Sequence, residues 1–187
     1  MKMQLAAWLF MILLCSSCFN VREPEPATTS AVSEWNPPTQ PAILVENFRN
    51  AVQKLNITLY DRCFTSNFRF KADAAIAGSN PDLFANWSVA EERDYFNGLK
   101  NKSLPNPLTL LELTKTKENF FQNDSLEQVY TYNLKTSLAD TSQARQFTGT
   151  MRLILVRKQN DWAITYWEDS RQNQPCWSDL KKYCLSR

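Results

Sequence analysis

Two glutamates and two tyrosines lie among apolar residues in the later part of the chain, where they could take part in chemistry. Glu112 and Glu168 each interrupt an apolar stretch, and Tyr130 and Tyr132 alternate so that both lie on one face of an extended strand. A carboxyl group enclosed by apolar side chains has a raised pKa, because burial disfavours its charged form, and such groups are candidate general bases. The chain has no histidine, which excludes histidine-based acid–base catalysis, catalytic triads and histidine metal ligands.

The direction of these side chains decides between a role in a cavity and an ordinary structural role. Glu168 follows the same alternation as Trp162, so it points into a cavity where the strand is covered, or into solvent where the strand extends beyond its cover. Both faces around Glu112 are equally apolar, and its direction stays open. Tyr130 and Tyr132 either offer hydroxyls to a ligand or pack in a core or dimer face. Glu112 and Glu168 are therefore candidate catalytic carboxylates, and Tyr130, Tyr132 and Trp162 are candidate ligand-binding residues.

The chain begins with the pattern of a secretory signal. Lys2 precedes an apolar run over residues 5–14, which is shorter than the roughly 20 residues of a membrane-spanning helix. The run ends in Leu-Cys-Ser-Ser-Cys, which resembles the lipobox of bacterial lipoproteins, although Cys15 stands where that pattern usually has leucine. The resemblance implies that residues 1–17 are a signal peptide and that Cys18 is lipidated. Ordinary signal-peptidase cleavage after Ser17 is the alternative.

Residues 18–40 are rich in Pro, Ser, Thr and Glu and poor in apolar residues. Such a composition cannot bury enough surface to order itself, so we expect a flexible tether between the lipid and the folded domain. The expected location is the bacterial cell envelope, with Cys18 anchored in a membrane, the outer membrane in particular, and the domain in the periplasm or at the cell surface. The 21 basic and 19 acidic residues nearly balance, which argues against nucleic acid as a partner.

Three cysteines remain once Cys15 leaves with the leader and Cys18 carries lipid. Cys176 and Cys184 are close in sequence in an exported chain, which predicts a disulfide that fixes the tail. Cys63 lies on the apolar face of a short helix and is expected to be a buried free thiol. No pair among these three has CxxC spacing, which argues against a zinc site or a thioredoxin-like role, so no metal site is predicted. No cofactor is predicted either.

Helical spacing and then strand spacing follow one another along the rest of the chain. Pro41 opens a helix with an apolar stripe to Leu55, Asn56 caps a short helix that contains Tyr60, and a capping box at Ser88 starts a helix over residues 89–96 that ends near Gly98. Four predicted strands come next: Asn106–Lys117, Leu126–Leu138, Gln143–Lys158 and Trp162–Ser170. Helices followed by a meander of strands indicate the α+β class.

The opening helix Ile43–Leu55, the segment Leu59–Phe70 and the closing strand Asp161–Asp169 together resemble the nuclear transport factor 2-like (NTF2-like) superfamily, also called SnoaL-like or ketosteroid-isomerase-like. The resemblance covers residues 41–170 and leaves residues 171–187 as a tail, which is similar to the tail of lipoprotein members. It implies a cone, in which a curved antiparallel sheet wraps around the long N-terminal helix and opens at one end into an apolar pocket.

The resemblance implies a small set of functions rather than one, because the superfamily contains isomerases, dehydratases, cyclases and non-catalytic binding domains. The first expectation is a non-catalytic module that binds a small apolar ligand or a partner, with Tyr60 added to the ligand-binding candidates. The alternative is a cofactor-independent isomerase or dehydratase that uses a pocket carboxylate and a tyrosine. Asp73 lies one residue from the position of the family's base, which Ala72 occupies. A homodimer through the outer sheet face, where Ile154 and Val156 are apolar, is also expected.

Two arrangements would separate these readings. A tyrosine that converges with a carboxylate in a sealed apolar cavity would favour an enzyme. A cavity filled by aromatic side chains would favour a structural or interaction domain.

Overall fold

The computed structural model describes residues 34–172 and 174–185. The helices are α1 (Pro41–Gln53), α2 (Ile57–Asp61), α3 (Ala74–Ser79), α4 (Pro81–Phe84), α5 (Val89–Lys102) and α6 (Trp177–Leu185). The strands are β1 (Phe64–Lys71), β2 (Leu110–Gln122), β3 (Ser125–Lys135), β4 (Gln146–Lys158) and β5 (Asp161–Arg171). The predicted leader, Cys18 and most of the tether lie outside the described residues. None of the described helices has the length and apolar character needed to cross a membrane.

The strands form one five-stranded sheet in the order β1-β5-β4-β3-β2. Strands β2 to β5 are the predicted antiparallel meander, and β1 pairs with β5 in parallel. Strand β2 begins later than predicted, at Leu110, and the predicted first residue, Asn106, has a left-handed backbone (φ 53°), which an extended strand does not contain. The α+β class with a mostly antiparallel sheet is confirmed.

Helix α1 lies against the sheet as its sequence pattern predicted. Pro41 opens the helix, and the stripe that includes Leu44, Phe48 and Val52 is fully buried. The stripe joins the same core as Met151 and other inward residues of β4 and β5. The helix therefore packs on the inner face of the sheet, and the space between them is part of the core.

Helix α5 starts at the predicted capping box of Ser88 and Glu91 but continues beyond the predicted stop at Gly98 to Lys102. A Cβ atom at Gly98 would lie 2.5 Å from the carbonyl oxygen of Cys184 on α6. Glycine is present there because the two helices approach closely, and not because the helix ends.

A bulge in β5 reverses the alternation of the closing strand. Leu155 of β4 pairs with Ile164, whereas Ile154 pairs with Tyr166, so β5 contains one extra residue between these pairs. Trp167 and Asp169 consequently face the core, with 0% and 1% exposure. The prediction that Glu168 shares the inward face of Trp162 is wrong for this reason.

Helix α6 lies in the segment that the sequence left as a tail. Its apolar stripe contains Trp177, Leu180 and Cys184, which are all buried. The predicted disulfide is absent, because Cys176 and Cys184 are buried free thiols at the two ends of this helix. At about 1.5 Å per residue the helix separates them by more than the ~7 Å that a disulfide can bridge. Cys63 is a buried free thiol, as predicted.

Residues 34–40, which the sequence placed in the tether, contact the domain. The Asn47 side-chain amide donates to the carbonyl oxygen of Asn36 at 2.6 Å, and the Trp162 amide donates to the carbonyl oxygen of Pro38 at 2.8 Å. The Asn36 amide also donates to Asn47 Oδ1 at 3.3 Å, so Asn36 satisfies both ends of the buried Asn47 amide, which is 2% exposed.

Candidate functional site

A buried carboxylate from α5 is the centre of the polar interior. The Tyr60 hydroxyl donates to Glu92 Oε1 at 2.6 Å, and Trp87 Nε1 donates to Glu92 Oε2 at 2.7 Å. Lys181 Nζ, from α6, donates to both oxygens of the same carboxylate. Glu92 is 1% exposed and Lys181 is 0% exposed, so this is an ion pair without contact with solvent.

Four aromatic rings surround the Lys181 ammonium group. The distances from Nζ to the ring centroids are 3.9 Å for Phe70, 5.0 Å for Trp87, 4.7 Å for Tyr95 and 4.1 Å for Trp167. We call these four residues the aromatic cage. A cation over an aromatic face is stabilised by the ring quadrupole, by about 2 kcal/mol or more when the cation is desolvated.

The cage is assembled by separate elements. Phe70 lies near the end of β1, and Trp87 directly precedes the N-cap of α5. Glu92 and Tyr95 are one helical turn apart on α5 and therefore share a face. Trp167 points inward only because of the β5 bulge.

A second polar network lies at the start of α6, around Asp169. The Tyr132 hydroxyl donates to Asp169 Oδ1 at 2.7 Å, and the Ser178 amide and hydroxyl donate to Oδ2 at 2.7 and 2.6 Å. The amide of Trp177 donates to the Tyr132 oxygen at 2.7 Å, and its indole N–H donates to the Tyr95 oxygen at 2.7 Å. Asp169 thus holds the first turn of α6, and Tyr95 connects this network to the aromatic cage.

Burial shifts the pKa of several groups in both networks. It lowers the pKa of Lys181 to about 8, against the opposing effect of the Glu92 carboxylate. It raises the pKa of Asp169, although the hydrogen bonds from Ser178 and Tyr132 oppose the shift. It also raises the pKa values of Tyr60 and Tyr95. A cluster of shifted groups of this kind is a candidate functional site.

The interior between α1 and the sheet is occupied by the protein itself. Trp177 and Lys181 are both 0% exposed, and the Trp177 indole packs edge-on against Trp167 with a centroid distance of 4.7 Å. Surface clefts lie elsewhere. One of about 310 Å³ is lined by Lys54, Lys100 and the loop 103–107, and one of about 200 Å³ lies between α1 and Tyr130. Neither cleft includes a residue of the two buried networks.

The structure separates the predicted carboxylates from the interior. Glu168 lies on the outer sheet face, where it pairs with Lys71 at 2.8 Å and with Arg152 at 3.2 Å. These cations, through their hydrogen bonds, lower its pKa, contrary to the raised pKa expected of a cavity residue. Glu112 is exposed and accepts from the Asn133 amide at 2.8 Å.

Asp73 serves as the N-cap of α3. It accepts from the backbone amides of Ala75 and Ile76, and it also accepts from the Arg171 amide. These bonds give it a structural role near the surface, so the structure does not place it as a base in the interior.

The predicted ligand-binding aromatics do not share a site. Tyr60 and Tyr132 are in the two buried networks, where each donates to a carboxylate. Tyr130 donates to Gln128 at 2.8 Å and borders the smaller cleft. Trp162 is 5% exposed in the core. The described residues contain no group of three or more His, Cys, Asp or Glu side chains that could hold a metal ion.

Sequence reasoning missed Glu92, Lys181 and Asp169. A signal for two of them was present, because Glu92 follows the helical spacing of Tyr95, Phe96 and Leu99, and Lys181 follows that of Trp177, Leu180 and Cys184. A single charged residue in each of two apolar stripes, with opposite signs, is the pattern of a buried ion pair. Asp169 had no such signal, because the bulge that turns it inward is not visible in the alternation.

No protein-family model matches the sequence, and no curated protein matches it. The fold matches 273 chains of solved structures. A protein from Novosphingobium aromaticivorans, provisionally named an aromatic ring hydroxylase, is similar with a TM-score of 0.56 at 16% identity, over 70% of this chain and 85% of that chain. A hexachlorocyclohexane dehydrochlorinase (LinA type 2) is similar with a TM-score of 0.54 at 11% identity, over 70% and 81% of the two chains. A conserved protein from Planctomyces limnophilus has a TM-score of 0.56 at 9% identity, over 68% and 89%. These similarities show that the domain has the NTF2-like fold, and at such identities they show the fold alone.

Proposed function

We propose that this chain is a lipid-anchored protein of the bacterial cell envelope, whose NTF2-like domain is a non-catalytic interaction module. The observation that carries the non-catalytic part is the filled interior. Trp177 and Lys181 of α6 occupy the space where a substrate would bind, and both are 0% exposed. A small apolar ligand could enter this space only if α6 left it.

The internal hydrogen bonds support a structural rather than a catalytic role for the buried carboxylates of Glu92 and Asp169. Both oxygens of Glu92 accept from Trp87, Tyr60 or Lys181, and both oxygens of Asp169 accept from Tyr132 or Ser178. A general base must reach a proton of the substrate within about 3 Å. Since other protein groups already fill those positions, neither carboxylate is available to a substrate while α6 is in place.

Hydrogen exchange of α6 tests this reading. We expect the α6 amides to exchange with the same free energy as the central amides of β4, because the helix is part of the core and opens only with global unfolding. Exchange of α6 at a much lower free energy, with β4 still protected, would show an interior that opens in the native state and would contradict the proposal.

The anchored location rests on the leader sequence and on the lipobox-like residues before Cys18. Labelling with a radioactive fatty acid in a bacterial host tests it. We expect the wild-type chain and Cys15→Ser to incorporate label, and Cys18→Ser to incorporate none and to leave the membrane fraction. Equal labelling of Cys15→Ser and Cys18→Ser would show that Cys18 is not the acceptor.

An isomerase or dehydratase is the second candidate, and the Tyr60–Glu92 pair is the observation that favours it. A buried carboxylate with a tyrosine is the combination that this reaction type requires. In such an enzyme α6 would act as a lid that must open in each turnover. The hydrogen-exchange experiment separates the two candidates, because only the enzyme needs local opening of α6.

A further inference from the structure

The aromatic cage and Glu92 together have every component of a binding site for an ammonium group. Four ring centroids lie 3.9 to 5.0 Å from the cation, and a carboxylate accepts its protons. The rings stabilise the charge through their faces, and the carboxylate neutralises it. Recognition of alkylated ammonium groups by aromatic cages uses the same physical interactions.

The residues that surround this cation all lie outside α6. The rings and Glu92 belong to β1, β5, α5 and the residue before its N-cap. The Glu92 carboxylate is also held by Tyr60 and Trp87 at 2.6 and 2.7 Å, and neither bond involves Lys181. The rings and the carboxylate of the site therefore come from other elements, and Lys181 of α6 contributes the cation; Trp177 of α6 also contacts Tyr95 and the ring of Trp167.

The occupant must carry a positive charge. An apolar side chain could fill the volume between the rings, but it would leave the Glu92 carboxylate buried without a counter-ion, which is strongly destabilising. Among the described residues, Lys181 is the cation that contacts this carboxylate.

We infer that the interior of the cone is a binding site for a primary alkylammonium group, and that Lys181 fills it in cis as a tethered ligand. This inference goes beyond the proposed function, because it depends neither on the lipid anchor nor on the absence of catalysis. It assigns a ligand class, primary amines in their protonated form, to the interior of this fold.

Chemical rescue of Lys181→Ala in the full chain tests the inference. The substitution removes the side chain beyond Cβ, and the atoms removed correspond to n-propylammonium. We expect n-propylammonium chloride to raise the Tm of Lys181→Ala saturably by several degrees relative to equimolar NaCl, because a ligand that binds only the folded state stabilises it. The wild-type protein should show no such shift, since its site is occupied.

Three controls separate a charged site from a simple cavity. 1-Propanol has the shape of the ligand without its charge and should give no saturable stabilisation. Glu92→Gln/Lys181→Ala lacks the carboxylate and should not respond to propylammonium. Lys182→Ala removes an exposed lysine next to Lys181 on α6 and should behave as the wild type.

Equal stabilisation by 1-propanol and propylammonium would overturn the inference, because the site would then be an apolar cavity. An equal response of Glu92→Gln/Lys181→Ala, or no response of Lys181→Ala, would overturn it as well. If Lys181→Ala is unfolded in NaCl, propylammonium should restore its circular dichroism and tryptophan fluorescence. Failure to restore them would likewise overturn it.

Discussion

At the scale of single residues, the structure depends on a charge pair that a core would ordinarily exclude. Lys181 and Glu92 are both less than 2% exposed, and removing either one leaves the other buried without a partner. The neighbouring hydrogen bonds from Tyr60 and Trp87 reduce the cost of burying the carboxylate but do not neutralise it. The pair is therefore expected to fix the position of α6 more than to add net stability.

A double-mutant cycle measures this coupling. We expect Glu92→Gln and Lys181→Met each to lower the free energy of unfolding by about 3–5 kcal/mol, because each leaves an uncompensated buried charge. The loss of unfolding free energy in the double variant, measured by urea denaturation, should be smaller than the sum of the two single losses by at least about 2 kcal/mol. Arg93 and Asp61 form an exposed pair at 2.8 Å that serves as the matched control, with an expected coupling of about 0–1 kcal/mol. Additive losses at Glu92 and Lys181 would mean that the two charges do not interact in solution.

The lowered pKa of Lys181 predicts a pH dependence of stability. Burial brings the pKa to about 8 in the folded protein, against 10.5 for an unperturbed lysine, so the unfolded chain binds more protons between these values. The contribution of Lys181 to the free energy of unfolding is therefore fully present above pH 10.5, and it is lost as the pH falls through about 8. The unfolding free energy of the wild type minus that of Glu92→Gln/Lys181→Met should rise by on the order of 1 kcal/mol per pH unit in this window. Subtraction cancels the thiols and tyrosines that the two proteins share. A flat difference would show that Lys181 keeps its ordinary pKa, and a falling difference would show that its pKa is raised; either result would contradict the prediction.

At the scale of elements, the contact between α5 and α6 determines what the interior contains. Gly98 lets the backbones approach, and the Lys181 and Trp177 side chains then reach the cage and Tyr95. The Ser178 bonds to Asp169 fix the first turn of the same helix. The elements thus hold α6 at both ends of its buried face.

Two glycines in helices give a matched test of this contact. At Gly98 an added Cβ would lie 2.5 Å from the Cys184 carbonyl oxygen, whereas at Gly78 in α3 nothing lies within 4 Å. We expect Gly98→Ala to cost about 2 kcal/mol or more, because backbone must move to relieve the clash. Gly78→Ala should be neutral or stabilise by up to about 1 kcal/mol, since alanine is the better helix former. Thermal and urea denaturation of both variants measure these effects. A Gly98→Ala protein as stable as the wild type would show that α6 is not packed this closely.

The order of the long helices α1 and α5 and of strands β2 to β5 could be predicted from the sequence, whereas helices α3, α4 and α6 and the content of the interior could not. Local patterns such as the stripe of α1 and the capping box at Ser88 depend on near neighbours and were read correctly. The inward turn of Asp169 depends on a bulge set by pairing with β4, and Glu168 was assigned to the wrong face for the same reason. The prediction that α5 ends near Gly98 was wrong because α6, the helix that packs on Gly98, comes much later in the chain. The site was missed because it forms between elements distant in sequence.

At the scale of the whole molecule, a filled interior leaves the outer surface of the domain for contacts with a partner. The outer sheet face carries charged residues that pair across strands, in which Arg152 contacts both Glu127 and Glu168. The exposed large apolar side chains of the described residues lie on β2 and in the loop before it: Leu104, Leu108, Leu110, Phe120 and Phe121. These surfaces, rather than the interior, are available to a partner in the proposed role.

Removal of α6 tests whether the helix belongs to the core or is an addition to a complete domain. A chain that ends at Gln174 would leave Glu92 without its cation and Asp169 without Ser178, and it would expose Trp87, Tyr95 and Trp167. The loss of these contacts is expected to lower the free energy of unfolding by several kcal/mol. Because each kcal/mol corresponds to about 2–4 °C in a domain of this size, we expect the Tm to fall by more than about 10 °C or the cooperative transition to disappear. Lys182→Ala, on the exposed side of α6, should change stability by no more than about 0.5 kcal/mol. A truncated domain that unfolds cooperatively within about 3 °C of the wild type would show that the cone is stable with an open cage, and α6 would then be a removable cover over a preformed site.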